Sequence, residues 1–296
     1  MESFPDISII GPGKVGTALG VLAARASLTV AAVAGGGPGR AAAAAEAIDF
    51  EVGVCSPVDA AGAGGLVLLT VPDDAIADLC AELARRQAFN PGTTVAHCSG
   101  ALGSDVLAPA RDQCGCLVGS MHPLQTFPTV EAAIEHLPGT WCFCEGDELA
   151  VAVLERLAAA IGARPARVDA GAKALYHAAA VTACNYLVAL LDAAGTLAGS
   201  AGVAPDTWVV AAEAIVRATV ENVCRLGPAG ALTGPIARGD VSTVARHVEA
   251  MAGQPEALRN LYRVAGMYTI ELALRKGSIA QPQAVALREA LNRPPG

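Results

Sequence analysis

Through its first half the chain alternates short, wholly apolar runs with Ala-rich or amphipathic ones. Residues 6–11 (Asp-Ile-Ser-Ile-Ile-Gly) make the first apolar run, followed by a helical stretch over 17–26 and a second apolar run over 28–34. That run ends in Gly35-Gly36-Gly37-Pro38-Gly39-Arg40. An Ala-rich helix over 40–48, strands at 51–55 and 66–71, a helix over 74–86 and strands at 94–98, 117–121 and 141–144 follow. Strand alternating with helix over about 165 residues predicts an α/β fold with a parallel, doubly wound sheet. Strands without polar alternation fit a sheet covered on both faces. From Asp169 onward the period lengthens to that of helices, at 170–198, 206–226, 241–252, 256–276 and 281–292, punctuated by Gly and Pro. The pattern therefore predicts a first domain over 1–165 and an all-α domain over 166–296, the boundary falling near Ala166.

Composition sharpens this picture. Of the 296 residues, 53% are hydrophobic but only 4% aromatic, and Ala makes up about a fifth. Ala has the highest helix propensity and buries little area, so the helices must pack by close backbone approach. With 20 Lys and Arg against 28 Asp and Glu, the net charge is −8, which argues against a nucleic-acid partner. The mean hydropathy of +0.45 raises the question of a membrane. The longest uncharged stretch, 174–191, contains His177, Thr182 and Asn185 and is flanked by Lys173 and Asp192, so it reads as a buried helix rather than a membrane span. The opening Met-Glu-Ser-Phe-Pro-Asp lacks the charged-then-apolar pattern of a signal, and a cytoplasmic protein is expected. Nine cysteines, an odd number, are expected as reduced thiols. Cys114/Cys116 and Cys142/Cys144 read as strand pairs with both side chains on one face, and no metal site is expected.

Gly11-Pro12-Gly13-Lys14-Val15-Gly16 follows a strand and opens a helix, the context in which a G-x-G-x-x-G run binds a dinucleotide. There Gly11 permits the turn, Gly13 lets the backbone approach a pyrophosphate and Gly16 lets the helix pack on the sheet. The second strand ends without the Asp or Glu that would bind the ribose hydroxyl of NAD. NADP is therefore expected, with NAD as the alternative, and Arg40 is the candidate 2′-phosphate partner; Arg25 is a lesser one. Val71-Pro72-Asp73-Asp74 and Ser99-Gly100 fall at strand ends on the ligand edge of such a sheet, Val71, Pro72 and Ser99 beside the cofactor and at least one of Asp73 and Asp74 as a helix cap.

Two clusters carry polar groups suited to chemistry. One is Ser120-Met121-His122-Pro123-Leu124-Gln125-Thr126 at a strand end; the other is Lys173-x-x-x-His177 with Asn185 on an apolar helix. Lys173 and His177 share a helix face, and such groups on an apolar helix are costly unless paired or used. The alternatives are a Lys reaching solvent from a helix start, and histidines satisfied by the core or by backbone. His97, His136 and His247 read as structural. In Thr233-Gly234-Pro235-Ile236-Ala237-Arg238-Gly239-Asp240, Asp240 caps the next helix, while Thr233 and Arg238 are candidates for substrate, Arg238 through its fork or else in a salt bridge.

Taken together, the motifs resemble those of Rossmann-like oxidoreductases with an uncharacterised all-helical C-terminal domain, distant relatives of the 6-phosphogluconate dehydrogenase superfamily. The resemblance rests on Gly11–Gly16, Val71-Pro72-Asp73-Asp74-Ala75-Ile76, His97-Cys98-Ser99-Gly100, His122-Pro123-Leu124-Gln125, Lys173-Ala174-Leu175-Tyr176-His177 and Leu232-Thr233-Gly234-Pro235. The His122-Pro123 turn is similar to one in prephenate dehydrogenases whose His contacts the reacting hydroxyl, with Ser99 near a helping Ser. The Lys173-x-x-x-His177 stretch resembles the Lys-x-x-x-Asn helix of β-hydroxyacid dehydrogenases and ketopantoate reductases, where Lys is the general acid, although His177 replaces that Asn. The Thr233-Gly234-Pro235 loop looks like the place where ketopantoate reductases present a Ser to substrate.

These likenesses imply hydride transfer between NADP(H) and a small carbonyl or hydroxy acid in a cleft between the domains. Lys173 is the first choice of proton donor and His122 the second, with Ser99, His177 and Asn185 orienting the substrate. Ketopantoate reduction is the first specific expectation, a pyrroline-carboxylate-type imine reductase the next. A non-catalytic NADP-binding sensor is the competing class, and a purely structural dimer module would leave the fingerprint idle. A homodimer through the helical domain is expected, because apolar helices such as 174–191 exceed what one small domain can bury.

Overall fold

The computed structural model describes residues 3–293. The chain divides into two compact units, Met1–Asn185 and Tyr186–Gly296. In the first, β1 (Ile7–Ile10), α1 (Lys14–Arg25), β2 (Val30–Ala34), α2 (Pro38–Ile48), β3 (Gly53–Cys55), α3 (Pro57–Ala63), β4 (Leu66–Leu69), α4 (Asp73–Arg85) and β5 (Thr94–His97) follow one another. Then come α5 (Ala108–Cys114), β6 (Leu117–Pro123), α6 (Val130–His136), β7 (Trp141–Gly146), α7 (Glu148–Ala160), β8 (Arg164–Arg167) and α8 (Lys173–Ala183). The eight strands form one sheet in the order β3-β2-β1-β4-β5-β6-β7-β8. From β3 to β6 every pairing is parallel, in the order of a dinucleotide-binding sheet, whose crossing point lies between β1 and β4. Apolar side chains fill both faces. Ile7, Ile9, Leu66 and Leu68 point to one core and Ile10, Val67, Leu69 and Val95 to the other, as the unalternating strands require.

The sheet departs from the expected all-parallel form at its far edge. β7 runs antiparallel to β6, with Met121 opposite Cys144 and Pro123 opposite Cys142. The intervening α6 packs on α1 instead of lying across the sheet between the two strands, so the chain re-enters from the opposite end. β8, Arg-Pro-Ala-Arg, pairs parallel to β7 and was not legible as a strand; charged residues and Pro are what an edge strand tolerates. The first compact unit thus runs past Ala166 to Asn185 and includes α8. Of the cysteine pairs, only Cys142/Cys144 is a strand pair. Cys114 ends α5 and Gly115 turns the chain at φ 71° before β6. Burial pushes the Cys116, Cys142 and Cys144 thiols up to about 12.

The second unit is built of helices. It comprises α9 (Asn185–Ser200, whose first residue belongs to the first unit), α10 (Pro205–Ala231), α11 (Val241–Ala250), α12 (Glu256–Lys276) and α13 (Gln281–Asn292). No strand occurs among its described residues. The expected single helix over 170–198 is broken at Cys184 (φ −113°, ψ −67°), and α10 is kinked at Gly227. Val244, Ile270, Leu287 and Leu291 form its core.

The expectation that 174–191 is a buried helix fails in the single chain. Leu175 is 76% exposed, and Val188 on α9 with Val209, Val210 and Ile215 on α10 are also open. The span Ala170–Ser200 is long and apolar enough to cross a membrane, at a mean hydropathy of 1.5, with none of that window buried.

Packing of α1 on the sheet depends on Gly16. A Cβ there would lie 2.2 Å from Thr70 Oγ1 and 3.1 Å from Ile9 Cγ2. Gly39, in the first turn of α2, has nothing within 4 Å of its Cβ position. Gly16→Ala is expected to destabilise the protein by about 1–3 kcal/mol. Gly39→Ala is expected to be neutral or stabilising by up to roughly 1 kcal/mol. Urea denaturation of the two variants checks the contrast.

Candidate active site

The turn from β1 into α1 stands at the crossing point of the sheet. Gly11 has φ +89°, and a Cβ on it would lie 2.8 Å from the backbone nitrogen of Val71. The Thr70 hydroxyl donates to the Gly11 carbonyl at 2.8 Å, so β4 holds the turn. Gly13 is the reverse case, since its nearest neighbour is the Gly11 carbonyl at 4.0 Å. The three glycines of the fingerprint therefore divide as the sequence implied, two closed against protein and one open. A cavity of about 610 Å³ lies over them, lined by Lys14, Val15, Gly36, Arg40, Val71, Pro72 and Phe127 among others. Pro12 lines an adjoining hollow with Lys14 and Arg40. Arg40 is exposed and makes no ion pair among the described residues. Its neighbours Gly35, Gly36 and Gly37 all have positive φ, which only Gly adopts freely.

The residues at the ends of β5 and β6 form a second assembly. Lys173 is 1% exposed, and its Nζ donates to the Ser99 carbonyl at 2.7 Å and to Ser120 Oγ at 2.6 Å. Glu145 Oε1, from β7, stands 3.8 Å from the same nitrogen. The Ser120 hydroxyl donates to Glu145, as does that of Ser104 at 2.8 Å, while the Ser104 amide donates to Oε1 at 2.9 Å. Burial holds the Lys173 amine below its ordinary value, with the Glu145 charge opposing that shift. Two protons of the ammonium are thus held by Ser99 and Ser120, and the side chain is buried instead of open to the neighbouring cavities.

Ser99 is occupied in the same way. Its Oγ donates to Asp73 Oδ2 at 2.7 Å and accepts from the Ala101 and Leu102 amides at 3.1 and 3.0 Å. Its amide donates to His97 Nδ1 at 3.2 Å, leaving His97 Nε2–H to donate to the Gly103 carbonyl at 3.1 Å. His97 is structural, as expected, and Ser99 shapes its loop instead of reaching a ligand. Pro72 is the N-cap residue of α4 and no side chain caps that helix, so neither Asp73 nor Asp74 has the capping role expected of one of them. Asp240 does cap α11, accepting from the Thr243 amide at 3.0 Å.

The loop so held presents Gly100 to two imidazoles. A Cβ on Gly100 would lie 2.6 Å from His177 Cδ2 and 2.8 Å from His122 Nε2. The His122 and His177 rings meet edge to face, 5.9 Å between centroids. His122 Nδ1 is 2.9 Å from the Tyr176 hydroxyl, and Tyr176 rests on Phe143 of β7 at 4.8 Å. Burial, and after it the Lys173 charge and His177, push His122 down to about 4, so its ring is neutral near pH 7. Burial raises Tyr176 to about 12.

A cavity of about 420 Å³ opens on these rings, lined by His122, Gln125, Thr126, Tyr176, His177, Cys184 and Asn185, with Ala179 and Ala180 on the apolar side. The structure brings His122, His177 and Asn185 to the lining of one cavity. Tyr176, Asp73 and Gly100 were not named as site residues although each stood inside a motif that the sequence singled out, and Glu145 lay outside all of them. Thr233 and Arg238 belong to the second unit, both exposed and without a side-chain hydrogen bond among the described residues.

Residues 3–123 match the family model of a Rossmann-like domain, and residues 140–269 match a domain of unknown function, DUF2520. The two matches follow one another along the chain in the order that its motifs resemble. No curated protein matches the sequence. Among solved structures, a Bacteroides fragilis protein assigned as an NADP oxidoreductase is 21% identical, with 90% of this chain and 98% of that one covered at a TM-score of 0.70. A reductive aminase from Aspergillus terreus, in complex with NADPH and ethyl levulinate, is 16% identical over 96% and 99% of the two chains, with a TM-score of 0.65. A pyrroline-5-carboxylate reductase from Coxiella burnetii is 14% identical over 98% and 100%, with a TM-score of 0.57. At these identities the likeness establishes the fold.

The histidines make stability depend on pH. His97 and His122 bind protons more weakly in the fold than their ordinary value of 6.5, so below that value the unfolded chain holds more protons. Their contribution is complete above pH 6.5 and is lost as pH falls toward 4. Denaturation midpoints measured between pH 7 and 4.5 are expected to drop, and His122→Asn is expected to flatten that slope.

Proposed function

We propose that the protein is an NADP(H)-dependent oxidoreductase that reduces a small C=O or C=N bond. The observation that carries this reading is the turn at the crossing point of the sheet. Gly13 is open where a pyrophosphate would approach, the α1 N-terminus faces that space, and Arg40 stands unpaired beyond a β2 end that lacks an acid. These residues fit the cofactor, which would supply a hydride when bound. Lys14, Val15, Val71 and Pro72 would line its path, and the Arg40 guanidinium would take the 2′-phosphate.

In the neighbouring cavity Tyr176 is the proton donor and His122 stands behind it. A phenol held near 12 stays protonated at working pH, yet is a far stronger acid than the alcohol or amine being formed. Tyr176 would give its proton to the oxygen or nitrogen of the bond being reduced. His122 Nδ1–H would return a proton to the phenolate, and a proton from solvent would then restore the ring. His177 and Asn185 orient the substrate, and Lys173 is a positioning residue that fixes the Ser99–Gly100 backbone. The activities of the reductive aminase and of pyrroline-5-carboxylate reductase favour a C=N substrate over ketopantoate.

NADPH oxidation over a panel of ketones, keto acids and cyclic imines tests the reading. Tyr176→Phe is expected to lower kcat by roughly 10²–10⁴ with NADPH affinity retained. Arg40→Ala is expected to weaken NADPH about 10–100-fold and leave NADH unchanged. Bound NADPH that no substrate oxidises would favour the sensor instead.

The open apolar faces of α8, α9 and α10 support a homodimer in which a second copy covers them. Charged residues such as Glu213, Arg217, Glu221 and Arg225 punctuate α10, which suits a protein partner better than lipid. Sedimentation equilibrium is expected to give twice the 29.6 kDa of one chain; a monomer at micromolar concentration would refute it.

A further inference from the structure

The second unit contains a small cavity of about 230 Å³ between α11, α12 and the end of α13. Three arginines line it: Arg259 and Arg263, one turn apart on α12, and Arg293 just past α13. Arg259 Nε is buried without a hydrogen-bond partner. Arg263 gives one N–H to Asn292 Oδ1 at 3.3 Å. None of the three makes an ion pair among the described residues, and Glu256, which also lines the cavity, lies outside ion-pair distance of them. In a chain with eight more acids than bases, three arginines lining one cavity beside a single carboxylate, and without an ion pair among the described residues, leave an excess of positive charge there. Like charges in one small cavity repel, and a buried N–H without an acceptor is costly. Both costs vanish if an anion with several acceptor oxygens occupies the space, because each guanidinium fork can take two of them.

We propose that this cavity binds a small oxyanion, a phosphate or carboxylate group, separately from the nucleotide cavity. At about 230 Å³ it is much smaller than the roughly 610 Å³ over the Gly11–Gly16 turn, and it suits a single anionic group or a compact metabolite, not a dinucleotide. Asn260 and the Tyr262 hydroxyl, which is 2.8 Å from His247 Nδ1, add neutral polar groups to the same space.

Isothermal titration of the full chain with inorganic phosphate and with succinate tests this, carried out in the Arg40→Ala background so that the cofactor cavity does not compete. Saturable binding of at least one anion is expected, weakened tenfold or more by Arg259→Met. Arg293→Met, at an exposed position with little bearing on folding, is expected to weaken it as well. Binding of phosphate but not succinate assigns a phosphorylated ligand, and the reverse a carboxylate. Absence of saturable binding by both anions, or affinity unchanged in both arginine variants, overturns the proposal.

Discussion

The ammonium of Lys173 lies in the interior beside the carboxylate of Glu145, and the arrangement of the ligand edge of the sheet follows from that pair. Removing two such charges from water costs several kcal/mol per ion, which their attraction offsets only when the remaining protons and lone pairs are bonded. Here Ser99, Ser104 and Ser120 complete the set. The bonds tie α8 to the ends of β5, β6 and β7, so the helix that carries Tyr176 and His177 is located by the sheet. Losing either ion would leave the other buried and unpaired, a cost of about 3–5 kcal/mol. The pair therefore contributes definition more than stability, and the chain keeps its few charges where geometry must be fixed.

From this pair the positions of the neutral groups follow. The Ser99 carbonyl is held by Lys173, its hydroxyl by Asp73 and its amide by His97. Gly100 is then pressed flat against His122 and His177. The imidazole next to Tyr176 is neutral chiefly because it is buried, and the Lys173 charge adds to that effect. A single ammonium fixes the backbone of the loop and reinforces the neutrality that burial imposes on the ring.

Much of this was legible in the chain. The apolar runs marked the six parallel strands, and the spacing of Gly11, Gly13 and Gly16 implied which glycine stays open. The helices over 241–252, 256–276 and 281–292 lie within two residues of their observed bounds. What was not legible depended on distant partners. Glu145 reads as one polar residue closing an apolar strand, and its importance appears only when Lys173 arrives beside it. Lys173 itself was singled out for a charge on an apolar helix, but nothing local tells a buried ion pair from a catalytic amine. β7 turned antiparallel because α6 packs on α1, a choice of neighbour that no local pattern expresses. The exposure of α8 and α9 has the same origin, since hydropathy states that a face must be covered without saying by what.

The three left-handed glycines after β2 carry a consequence for how the nucleotide preference could change. An acid that binds ribose hydroxyls belongs at the end of that strand, where Gly35 and Gly36 have φ of +86° and +75°. Any L side chain is strained in that conformation, and a Cβ on Gly36 would also press to 2.9 Å from Arg40 Cδ. Under the proposed reading, selectivity between the two nicotinamide dinucleotides resides in the path of the main chain as well as in one guanidinium. Exchanging one cofactor for the other would require the whole turn to be rebuilt, so drift at single positions is buffered.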